Sequence, residues 1–74
     1  MLYFQSIDPV RNRFRWYALD LQPDLFGGVN LVRRWGRIGS PGRTSSEHFA
    51  DEERASSALE VEVTRRVKHG YRVA

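Results

Sequence analysis

The chain has no cysteine, one methionine, one lysine and two histidines among its 74 residues. Without cysteine there is no disulfide framework, and two imidazoles with no thiol beside them are too few for a structural zinc site, so stability must come from packing. No apolar run approaches the roughly 20 residues that cross a bilayer as a helix. The opening Met1-Leu2-Tyr3-Phe4-Gln5-Ser6 has neither the basic start nor the long apolar stretch of a signal peptide, which gives the expectation of an intracellular, cytoplasmic protein. Internal repeats, low-complexity stretches and linkers are also missing.

What is present suits one small domain over residues 1–74, near the size at which a hydrophobic core alone is just sufficient. The composition is 41% hydrophobic and includes two Trp, three Tyr and four Phe, enough for a folded core and too much for a disordered tail. The formal net charge is +3, and the distribution matters more than the total. Glu47, Asp51, Glu52, Glu53, Glu60 and Glu62 gather in the second half, whereas Arg33 to Arg43 holds four arginines and no acid. Guanidinium groups suit bidentate contacts to phosphate.

Alternation predicts a strand over Leu2 to Asp8, a turn at Asp8-Pro9 through Asn12, and a second strand over Arg13 to Gln22. A period of two sets Arg13, Arg15, Tyr17, Leu19 and Leu21 on one face of that strand and Phe14, Trp16, Ala18 and Asp20 on the other. The loop Pro23 to Gly28 follows, with Phe26 expected to cap the core edge, and a third strand runs from Val29 to Ile38. Its phasing puts Val29, Leu31, Arg33, Trp35 and Arg37 together on a face expected to meet solvent. Asn30, Val32, Arg34, Gly36 and Ile38 fall opposite, where Gly36 lets another backbone or the helix approach closely. The turn Gly39-Ser40-Pro41-Gly42 leads to a fourth strand, Arg43 to Phe49.

Asp51 reads as the N-cap of a helix with Glu52 and Glu53 in its first turn, where the macrodipole favours negative charge. Ala55, Leu59, Val63 and Val67, joined by Ala58, form its apolar stripe. Arg65, Arg66, Lys68 and His69 suit the helix C-terminus, Gly70 a left-handed cap, and Tyr71 to Val73 a short last strand. The expected fold is α+β: a small antiparallel sheet of four to five strands with one helix packed on one face.

Enzymatic readings fare poorly. The serines are scattered, His48 reads as a strand-edge residue and His69 as a helix-terminal charge, so no nucleophile has an obvious base and orienting group. Glu52 and Glu53 are neighbours that diverge by about 100° around a helix. Gly36, Gly39 and Gly42 precede a strand, which is the wrong context for a phosphate loop. No catalytic residue, metal, cofactor or small-molecule substrate is expected. The binding chemistry is stronger: Trp35 offers a plane for stacking, Arg33, Arg34, Arg37 and Arg43 offer phosphate contacts, and Gly36 permits close approach. Four such contacts on duplex DNA would give a log–log salt slope of roughly −3.6. From the residues alone, Trp35 reads equally as a core tryptophan or a stacking platform. Trp16, amid alternating apolar residues, reads as core.

The triplet Trp35-Gly36-Arg37, with the strands and turn around it and the closing Lys68-His69-Gly70-Tyr71, resembles the WGR domain. That family occurs within DNA-dependent poly(ADP-ribose) polymerases and as small free-standing bacterial proteins. The resemblance implies a compact antiparallel sheet with a single helix and favours binding at Trp35. In the polymerases the tryptophan packs against a DNA terminus with the arginine beside it, roles that fall by position on Trp35 and Arg37. Arg33, Arg34 and Arg43 are added from local charge. Nothing here corresponds to a catalytic domain or zinc fingers. The reading is therefore a non-catalytic module that binds DNA ends, nicks or gaps with weak sequence specificity, associated with the nucleoid if it does so. The alternative is a protein-interaction module using the same Trp/Arg surface, with a protein rather than DNA as partner.

Overall fold

In the computed structural model, which describes all 74 residues, five antiparallel strands form one sheet with a helix across one face. The strands are β1 (Leu2–Asp8), β2 (Arg13–Pro23), β3 (Val29–Arg37), β4 (Arg43–Phe49) and β5 (Arg72–Val73), and the helix α1 spans Glu52–Lys68. Their spatial order is β4-β3-β2-β1-β5, so the first four strands form a meander and α1 carries the chain back across it to the far edge of β1. A single 3₁₀ turn, Pro9–Arg11, joins β1 to β2, ending at Asn12 in the left-handed region (φ 53°). The strands match those read above except at three ends, where Pro23 extends β2, Ile38 falls outside β3 and Tyr71 precedes β5.

The register aligns one row of side chains across four strands: Phe4, Tyr17, Trp35 and Arg43. The neighbouring rows on the same face bring Leu2, Leu19, Arg33 and Ser45 together on one side, and Ser6, Arg15 and Arg37 on the other. Phe4, Leu19 and Leu31 are fully buried and form the centre of the core with Tyr17 and Tyr71. Full burial of each such aliphatic or aromatic side chain is worth roughly 1.5–3 kcal/mol, which is substantial for a domain this small.

Asp51 caps α1 as its position implies, its carboxylate accepting the Arg54 backbone N–H at 2.8 Å, while Gly70 leaves the helix at φ 85°. Ala55, Ala58, Leu59 and Val63 face the sheet. The stripe does not extend to Val67, which is exposed. The preceding residue, Arg66, turns inward instead, its guanidinium 4.4 Å from the centre of the Tyr17 ring. A flat cation with an apolar stem covers an aromatic ring here better than a short valine.

Phe26 does not cap the core edge. It and Leu25 are 97% and 98% exposed at the tip of the β2–β3 loop. The tip is held outward by Asp24, whose carboxylate accepts the Phe26 backbone N–H at 2.9 Å and the Asn30 side-chain amide at 3.1 Å. These bonds, the backbone one foremost, depress the Asp24 pKa below its ordinary value.

Candidate nucleic-acid interface

The face shared by Arg33, Trp35 and Arg37 is as the period of two places it, but it is the helix-covered face and not an open one. The helix covers only part of the row. Arg33 lies under it, its guanidinium 3.0 Å from Glu47 and 3.6 Å from Glu62, with a side chain mostly buried. Glu62 is itself only 6% exposed and takes a second cation, Arg65, at 3.0 Å. Both Arg33 and its carboxylate partners are therefore occupied, because a charge under a helix is tolerated only when paired. Arg33 is not a free phosphate ligand.

Beyond the helix end the row opens. Trp35 is half-buried, held on one side by Tyr17, whose ring lies nearly parallel at 19° with centroids 6.0 Å apart. Tyr17 carries Arg66 over its face and meets Tyr71 edge-on at 6.0 Å, so the indole rests on a braced aromatic stack. Burial raises the Tyr17 pKa, and the Glu62 carboxylate raises it further. The phenol stays neutral at physiological pH and adds no negative charge to the surface.

A cleft of about 370 Å³ opens beside the indole, lined by Arg15, Trp35, Gly36, Arg37 and Tyr71. Arg15 and Arg37 face each other across β2 and β3, and Arg43 flanks Trp35 from β4. All three are exposed and none has an acidic partner, in contrast to Arg33, Arg54 and Arg65. Arg37 is anchored without being neutralised: it donates to the side-chain oxygen of Asn12 at 3.2 Å and sits 5.5 Å from the Phe14 ring. Unopposed cations directly across a sheet repel, so a site that keeps them together gains from a bound anion.

Gly36 permits the turn to fold back against the strand. A methyl group there would lie 2.7 Å from the Gly42 Cα and 3.0 Å from the Ser40 hydroxyl. The close partner is thus another backbone, and the helix lies on the opposite face. Gly42 is equally constrained, with φ 70° and its missing methyl aimed at the Trp35 carbonyl oxygen. Arg34 points to the other face of the sheet, away from Trp35, and makes no ion pair. Trp16 is also on that face, half-buried and bonded through its indole N–H to the Arg37 carbonyl at 3.1 Å, so it braces the turn and lies outside the main core.

Arg15, Tyr17, Tyr71 and Arg66 gather around Trp35 in the fold, although the sequence pattern does not single them out. Phasing alone put Arg15 and Tyr17 on one face of β2, and the β2–β3 register would have carried them to Arg37 and Trp35.

The model of the WGR domain matches residues 1–74. The chain belongs to the WGR family. WGR domains are non-catalytic nucleic-acid-binding modules. The chain is also similar to a protein of Sinorhizobium fredii with the printed name "Uncharacterized protein y4dW", 42% identical over 71 residues, which covers 96% of this chain and 35% of that protein. This WGR chain therefore spans about a third of the length of that curated relative. No solved structure matches it. None of its helices is long and apolar enough to cross a membrane.

Proposed function

We propose that this WGR domain binds DNA ends, nicks or gaps without reading sequence, by stacking Trp35 on the exposed terminal base pair or sugar while Arg15, Arg37 and Arg43 hold the flanking phosphates. The observation that carries the proposal is the half-buried indole braced by Tyr17 within a ring of acid-free arginines. An end offers a flat, apolar surface beside closely spaced phosphates, and the cleft at Trp35 offers the matching pair of surfaces. Arg34 stands outside this cleft and Arg33 is engaged with carboxylates. Base–aromatic stacking contributes roughly 1–3 kcal/mol and is indifferent to base identity, which accounts for weak sequence preference.

The test is fluorescence anisotropy with a labelled linear duplex, competed by the same sequence as linear fragments or as closed circles. Linear fragments should compete and circles should not, and Trp35→Ala should weaken binding about tenfold or more, in line with the stacking energy. Equal competition by circles would sink the preference for ends.

A protein-interaction reading has one observation in its favour, and it lies at the opposite end of the molecule from the triplet. Leu25 and Phe26 project from a hydrogen-bonded tip with almost their full surface in water, and exposed aromatic anchors on rigid supports are typical hot spots. If a partner protein docks there, replacing both with serine abolishes its capture and leaves DNA affinity unchanged.

A further inference from the structure

The face of the sheet opposite α1 has no covering element, yet it is not a plain polar surface. Tyr3 and Trp16 lie on it nearly parallel, 15° apart with centroids at 6.1 Å. Trp16 cannot easily turn away, since its indole N–H is bonded to the Arg37 carbonyl and its ring packs against Gly42. One row across the sheet reads Tyr3, Ala18, Arg34. Tyr3 and Arg34 thus stand two strand spacings apart, about 10 Å, with Ala18 between them closed over to 5% exposure. Both line a shallow hollow of about 370 Å³, completed by Trp16 and by Ser40 and Pro41 of the turn, and no acid lines it. Arg34 makes neither a hydrogen bond nor an ion pair and is exposed.

We infer that this hollow is a second nucleic-acid subsite, one that takes an unpaired nucleotide with its base against Tyr3 and its phosphate on Arg34. A ring and an unopposed guanidinium at this spacing match two parts of a nucleotide: the π-face of the base and the phosphate. An open antiparallel sheet carrying aromatics is a general way to hold single strands. The subsite also adjoins the Trp35 cleft through the Gly39–Gly42 turn, because Ser40 lines the hollow and also lies against Gly36 of the cleft. A strand leaving a duplex stacked at Trp35 would thus pass round the turn and onto the open face. In this form the inference rests on the end-binding reading, and it extends that reading to ends with a single-stranded overhang.

The experiment compares, at low salt, a blunt hairpin duplex, the same hairpin with a short oligothymidine tail of either polarity, and a free oligothymidine. Wild type is measured beside Tyr3→Ser and Arg34→Gln, two exposed positions whose replacement leaves the core intact. A tail of at least one polarity should tighten binding roughly tenfold, the lower range of one stacked base. Each variant should remove that gain without changing blunt-end affinity. The inference is overturned if neither tail helps, or if the gain survives in both variants. Free oligothymidine separates the two proposals: binding that depends on Tyr3 with no binding to blunt duplex refutes end recognition and upholds this subsite. Blunt binding with no effect of any single strand does the reverse.

Discussion

Replacing Arg15 with glutamine tests the interface most directly, because Arg15 is absent from the local arginine run and enters the site only through folding. The cleft gathers three exposed arginines without acid partners, Arg15, Arg37 and Arg43. If each neutralises one phosphate of a duplex, each contributes about 0.9 to the slope of log affinity against log salt, for a total of about −2.7. Raising salt about fourfold would then weaken binding about 40-fold for wild type, and about 12-fold for Arg15→Gln with its slope of about −1.8. Anisotropy titrations across a series of salt concentrations give both slopes. Arg54→Gln is the control, since Arg54 is paired with Asp51 at the helix N-terminus and lies far from the cleft. An unchanged slope in Arg15→Gln, or an equal change in Arg54→Gln, would refute the assignment and point to diffuse basic charge.

Three further outcomes are expected. Arg33→Leu should destabilise the fold by about 2 kcal/mol in urea denaturation, less than the loss of an isolated buried pair because Arg65 still meets Glu62; adding Glu62→Leu should restore much of the loss. Gly36→Ala should cost about 1–3 kcal/mol by crowding the Gly42 backbone and should alter the near-ultraviolet circular dichroism of both tryptophans, whereas Gly39→Ala meets open space and should cost only the strain of its φ of 94°, about 1–2 kcal/mol. In a tyrosinate absorbance titration, Tyr17 should ionise above the ordinary tyrosine value, a phase that Tyr17→Phe removes. Its folded pKa is raised above the ordinary 10.0, so its contribution to stability is complete below that pH and disappears as pH rises through the folded value.

The elements were legible in the sequence because their signals are local. Alternation marked the strands, Asp51 and Gly70 marked the helix ends, and the period of two separated Arg34 from Trp35. What escaped was non-local. Period alone does not say which face of a sheet a helix will cover, and Arg33 looked open until Glu47 and Glu62 were found around it. Phe26 was misplaced for the same reason: its apolarity suggested burial, while the Asp24 hydrogen bonds that turn it outward are a property of the folded loop. The proposed interface is likewise assembled from strands distant in sequence, with Arg15 and Tyr17 supplied by β2 and Tyr71 by the chain after the helix.

The two tryptophans lie on opposite faces of one sheet, each beside a nearly parallel tyrosine. That arrangement gives the domain two independent optical reporters. With Trp16→Phe the remaining emission comes from the helix side, and with Trp35→Phe from the bare side, so quenching by a ligand identifies the surface it covers. Titrating the two single-tryptophan proteins with one tailed duplex would show whether the strand reaches both sides, and in which order as its concentration rises.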